Sequence, residues 1–63
     1  MKVSKIIQII EKDGWSISRQ KGSHRQFKHK SKKGVVTISG SLSDDVSIGT
    51  LYNVYRQAGI DKK

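Results

Sequence analysis

The chain has 63 residues, 13 Lys/Arg against 5 Asp/Glu, and a net charge of +8. That length allows one small domain, spanning 1–63, whose core is marginal for its size. There is no cysteine, which excludes a disulfide framework and a thiolate metal site and fits a cytoplasmic setting. The apolar run Ile6-Ile7-Gln8-Ile9-Ile10 is far shorter than the roughly 20 residues a membrane span needs, so the chain reads as soluble, with no membrane partner. A chain this short and this basic meets a polyanion. The charge is also clustered: Arg19, Lys21, Arg25, Lys28, Lys30, Lys32 and Lys33 follow one another with no intervening acid.

Ser4 is a candidate N-cap, and Ile6, Ile7 and Ile10 follow at helical spacing with Val3 able to pack onto them. Asp13-Gly14 stops this helix, which is expected over Ser4 to Lys12. Trp15 to Gln20 alternates, with Trp15, Ile17 and Arg19 on one side, as a half-buried strand does. His24 to Lys30 alternates too, and Phe27 is its only large apolar residue, so Phe27 points inward. Cross-strand partners share a face, which requires Ile17 opposite Phe27. A two-residue loop at Gly22-Ser23 would set Ser18 opposite Phe27 instead and put Ile17 on the wrong side. An odd-length loop around Gly22 is therefore expected, with His24, Gln26, Lys28 and Lys30 on the face away from the core.

Ser31-Lys32-Lys33-Gly34 is a second turn, and β-branched Val35 to Ser39 is a third strand. Gly40 to Val46 is a loop holding the adjacent acids Asp44 and Asp45. Ser47 caps a second helix running to about Ala58, with Ile48, Leu51, Tyr55 and Ala58 as its apolar stripe and Val54 flanking. Gly59 is its left-handed stop, Ile60 the accompanying hydrophobic contact, and Asp61 to Lys63 a frayed tail. The expected fold is α+β, αβββα, with two helices on one face of a three-stranded antiparallel sheet.

Few residues offer chemistry. Asp44-Asp45 lack a second carboxylate or histidine cluster, so no metal or other cofactor is implied. His24 and His29, five apart on one strand, face opposite ways and cannot ligate one ion together. A Ser23–His24 nucleophile pair lacks an orienting acid, and Gly49-Thr50 reads as a plain helix start. His24 stands apart. Its imidazole can exchange a proton near neutrality, and RNA carries its own nucleophile, the 2′-hydroxyl. Among Lys and Arg, His24 can serve either as a binding residue or as the proton-transfer group of a metal-free cleavage.

Five segments together, Gly14-Trp15, Arg19 through Phe27, Val36-Thr37-Ile38, Ile48-Gly49-Thr50-Leu51 and Arg56-Gln57-Ala58-Gly59-Ile60, resemble the HicA family of toxins across nearly the whole chain. That family is similar in fold to double-stranded-RNA-binding domains. The resemblance implies a metal-independent endoribonuclease that cuts mRNA, with His24 as its catalytic histidine and Gly22 and Ser23 as its turn. It also implies a HicB-type antitoxin partner. Lys21, Arg25, Lys28 and Lys30 join Gly22 and Ser23 as candidate RNA contacts on charge and geometry. Ser39 to Asp45 departs from the family pattern, in which proline and histidine precede lysines; its two acids repel phosphate, so this loop is expected to face away from RNA or to meet a basic partner. Against this stand two rival readings, a non-catalytic small basic RNA-binding module and a subunit whose basic face binds an acidic protein.

Overall fold

The computed structural model describes residues 1–60; the expected frayed tail at 61–63 lies outside the described residues. The elements run α1 (Val3–Lys12), β1 (Trp15–Lys21), β2 (His24–His29), β3 (Val36–Ile38) and α2 (Ile48–Ala58), in the expected αβββα order. The sheet is an antiparallel meander, β1-β2-β3. One sheet face carries Trp15, Phe27, Val36 and Ile38, and against it pack Val3, Ile6 and Ile10 of α1 and Val54 and Ala58 of α2. Both helices therefore lie on one face. Each fully buried large apolar side chain contributes about 1.5–3 kcal/mol, and in a domain this small Trp15 and Phe27 are the largest of them.

Two helix details differ from the sequence expectation. Helix α1 starts at Val3, and its N-cap is Lys2 with no side-chain cap. Its first free N–H groups are met instead by the 40–46 loop: Val3 N–H donates to the Asp44 carbonyl (2.9 Å) and Ser4 N–H to the Leu42 carbonyl (3.0 Å). A helix end needs acceptors for these orphan donors, and a docked loop supplies them as well as a hydroxyl would. In α2 the buried positions are Val54 and Ala58 with Leu51 packed beside them, while Ile48 is 68% exposed. Val54 is thus central to the stripe and Ile48 outside it. The caps of α2 are as expected: Thr50 N–H donates to Ser47 Oγ, and Gly59 is left-handed at φ 66°. Ile60 N–H then reaches back to the Tyr55 carbonyl at 2.9 Å.

The hairpin is where the structure corrects the sequence. Lys21 pairs with His24, so the loop is the two-residue Gly22-Ser23, not an odd-length one. Gly22 has φ 59° and no other residue of the loop has positive φ, the pattern of a type II′ hairpin turn, in which glycine takes the first central position. Ile17 still faces Phe27, because the register shifts between Ile17 and Arg19. Ser18 is the extra residue of a β-bulge, a device that inserts one residue on one strand only. The parity error that a two-residue loop would create is thus repaired inside β1. Ile17 shares the core face with Phe27 but, on the edge strand, stays 48% exposed, so Trp15 and Phe27 carry that side of the core.

Candidate nucleic-acid interface

The bulge has a direct effect on which side chains meet. Beyond Ser18, Arg19 pairs with Gln26 and Lys21 with His24. Partners share a face, and Gln26 and His24 alternate with buried Phe27. Arg19, Lys21, His24 and Gln26 therefore all stand on the face without helices, and together they line an open cavity of about 240 Å³. Arg19, expected on the core side with Trp15 and Ile17, is corrected to the open face. Ser16 with Lys28, and Thr37 opposite Gln26, extend the same surface. No Asp or Glu occurs between Asp13 and Asp44, so the strands of this face bring no carboxylate to it.

The candidate residues separate on this geometry. His24 and Lys28 lie where expected, exposed on the open face, and Lys21, expected at the loop, joins them there as the partner of His24. Gly22 and Ser23 form the turn at its end. Arg25 does not join them. It alternates with His24 and Gln26 and so belongs to the core face, where it is half-buried beside Ile38. Its Nη1 donates to the Gly40 carbonyl at 2.9 Å and the Ser23 carbonyl at 3.3 Å. Arg25 thus ties the turn to the 40–46 loop, helped by Gln20 Nε2, which donates to the Gly22 carbonyl at 3.0 Å. Lys30 is exposed but lies past the end of β2, so the ladder does not set it on the open face. The strand ends because the next residues fold back onto His29.

His29 is engaged where His24 is not. Its Nδ1 accepts the backbone N–H groups of Ser31 (3.0 Å) and Lys32 (3.2 Å). The proton is thereby assigned to Nε2, which donates to the Asp13 carbonyl at 2.7 Å. The ring meets the buried Trp15 edge-on with centroids 5.3 Å apart, and Trp15 Nε1–H donates to the Ala58 carbonyl at 3.2 Å. Lys32 completes this junction. Its ammonium binds the Asp13 carboxylate and the Ala58 and Gly59 carbonyls at the C-terminus of α2, where a cation opposes the helix dipole. The hydrogen bond from Lys32 is the main reason the Asp13 carboxyl is lowered below its usual 3.8. Among the described residues, by contrast, the His24 imidazole makes no hydrogen bond. The opposite facing of the two histidines is as the strand alternation requires.

The two acids of the loop are also placed. The Asp44 carboxylate accepts from Ser41 N–H (3.0 Å), and Asp45 pairs with Lys2 at 3.4 Å on an exposed surface. Through these contacts the loop is built onto the first turn of α1, in the helical layer. No group of three or more His, Cys, Asp or Glu that could hold a metal ion occurs among the described residues. No helix there is long and apolar enough to cross a membrane.

A helix-free, carboxylate-free sheet face with one unengaged imidazole agrees with what the sequence resembles. The family model described as HicA toxin of bacterial toxin-antitoxin matches residues 3–60. The chain belongs to the HicA toxin family. The match takes in every element of the fold, from the first helix to the cap after the last. A toxin of a toxin–antitoxin system implies an antitoxin partner. No curated protein matches the chain. Gln26 is on the open face as expected, whereas a regular alternation of β1 hides the place of Arg19 in the HicA chain's open-face cluster. The signal was present, since a cation at a position that alternation makes inward-facing marks a break in the alternation.

Proposed function

We propose that this HicA-family toxin is a metal-independent endoribonuclease that cuts mRNA with His24 as its catalytic imidazole, and that a HicB-type antitoxin masks it. The observation that supports this most is the contrast in engagement: His29 is fixed by three neighbours, whereas the His24 imidazole stands without a hydrogen bond among the described residues, in a basic cavity on an open face. An imidazole there can accept the 2′-hydroxyl proton of RNA. The 2′-oxygen then bonds to phosphorus as the bond from phosphorus to the 5′-oxygen breaks. The products are a 2′,3′-cyclic phosphate and a 5′-hydroxyl, the leaving oxygen taking its proton from His24 or water. Lys21 and Lys28 draw the phosphate backbone in and make binding salt-dependent. Their part is electrostatic, and the proton is left to the imidazole.

The test is incubation of purified protein with RNA in the presence of a chelator. Wild-type chain is expected to cleave and His24→Ala to bind RNA without cleaving it. Binding by both with cleavage by neither would instead identify a non-catalytic RNA-binding module.

A further inference from the structure

The chain has three arginines, Arg19, Arg25 and Arg56. Two are engaged. Arg25 donates to the Gly40 and Ser23 carbonyls, and Arg56 Nη2 donates to Asn53 Oδ1 at 2.6 Å. The Arg19 guanidinium makes no hydrogen bond or ion pair among the described residues, yet its place is set by the backbone. The bulge at Ser18 turns it onto the open face, directly across from Gln26 and diagonal to His24. Diagonal positions on one sheet face have Cα atoms about 7–8 Å apart, within reach of long side chains. Both residues line the same cavity.

Resting on the ribonuclease reading above, we propose that Arg19 is a second catalytic residue, which grips the non-bridging oxygens of the scissile phosphate while His24 moves the proton. The chemistry selects arginine for this place. When the 2′-oxygen bonds to phosphorus, negative charge grows on those two oxygens before the 5′-oxygen departs. A guanidinium offers two parallel N–H donors that match two such oxygens, and its charge is permanent. Lys21, beside His24 in the ladder, offers a strongly hydrated point charge suited to attracting the backbone, not to a two-point grip. A donor aimed at charge that develops only in the transition state accelerates the reaction more than it tightens binding. Arg19 is also the group for which the bulge has a consequence: were the Ile17–Phe27 register continued without it, Arg19 would face Arg25 across the core side, two like charges together.

The experiment is steady-state cleavage of a single-stranded RNA by purified wild type, Arg19→Gln, Arg19→Gly, Lys21→Gln and His24→Ala. Arg19→Gln is expected to lower kcat by about 10²–10³-fold, the range for loss of one transition-state donor, with KM changed less than about threefold. Methylguanidinium added to Arg19→Gly should restore part of the lost kcat, an effect no purely structural role would give. Lys21→Gln should mainly raise KM. Arg19 is exposed, and unchanged circular dichroism is expected for each variant. If wild type cleaves and His24→Ala does not, an Arg19→Gln enzyme with unchanged kcat overturns the role of Arg19 alone. A rise in KM with kcat preserved likewise overturns it, making Arg19 a binding residue. Wild type without cleavage overturns both this role and the ribonuclease reading.

Discussion

His24 and His29 are five residues apart on one strand, and nearly everything around them differs. His29 is on the helical side, its two nitrogens committed to the Asp13 carbonyl and to the Ser31 and Lys32 N–H groups. His24 is on the open side among Arg19, Lys21 and Gln26. The difference shows how one residue type divides its labour. An imidazole saturated with hydrogen bonds joins elements and has no lone pair left for chemistry; one left unsaturated contributes nothing visible to the fold and is available to a substrate. Strand parity alone assigns the two fates, because the core lies on one side only.

Exchanging alanine for each histidine in turn should separate these roles most widely. His24→Ala is expected to lose RNA cleavage by 10³-fold or more while melting like wild type. His29→Ala should lose about 2 kcal/mol, the sum of two or three net hydrogen bonds of about 1 kcal/mol each, a fall in Tm on the order of 10 °C. RNA cleavage assayed well below Tm should survive it. Comparable loss of activity in both variants, with both stably folded, would dissolve the contrast.

Gly14 tests how closely the His29 side is built. A Cβ there would lie 2.6 Å from His29 Nε2, on a backbone at φ 107°. Left-handed strain and overpacking each cost about 1–3 kcal/mol, so Gly14→Ala should lower urea stability by roughly 3 kcal/mol and leave the open face unchanged.

The same junction should give the HicA chain an acid limb. Asp13 is lowered below 3.8 in the fold, chiefly by Lys32. A carboxyl whose folded value is depressed binds fewer protons folded than unfolded, so its stabilisation is present above about pH 4 and fades as pH falls through the lower folded value. Lys32→Met should flatten stability against pH in that acid range, measured by urea melts. Retention of the full acid limb would remove Lys32 as its cause. The smallest effect is spectroscopic: nitrogen-15 shifts near pH 7.5 should show His29 as the Nε2–H tautomer, and His24 averaging between tautomers.

Most of the architecture could be read from the residues because it depends on local rules: apolar spacing in α1, Ser47 and Gly59 as caps, Phe27 as the inward residue of its strand. The face of Phe27 carried His24 to the open side with it. Non-local compensation was harder to see. The two-residue turn and Arg19 on the open face both depend on one inserted residue, Ser18, whose serine side chain carries no mark of a bulge. Arg25 differs: alternation with Phe27 already sets it on the core face, but a guanidinium can serve carbonyls as readily as phosphates, and which it serves depends on Gly40, fifteen residues away. The start of α1 was missed similarly, since its acceptors come from Leu42 and Asp44.

That last feature has a consequence in time. As the chain leaves the ribosome, α1 is made first, yet the carbonyls that satisfy its opening N–H groups are made some 40 residues later. The hairpin needs only its own neighbours and can close early. The HicA fold is therefore sealed from its far end, and the first helix it makes is among the last it can secure.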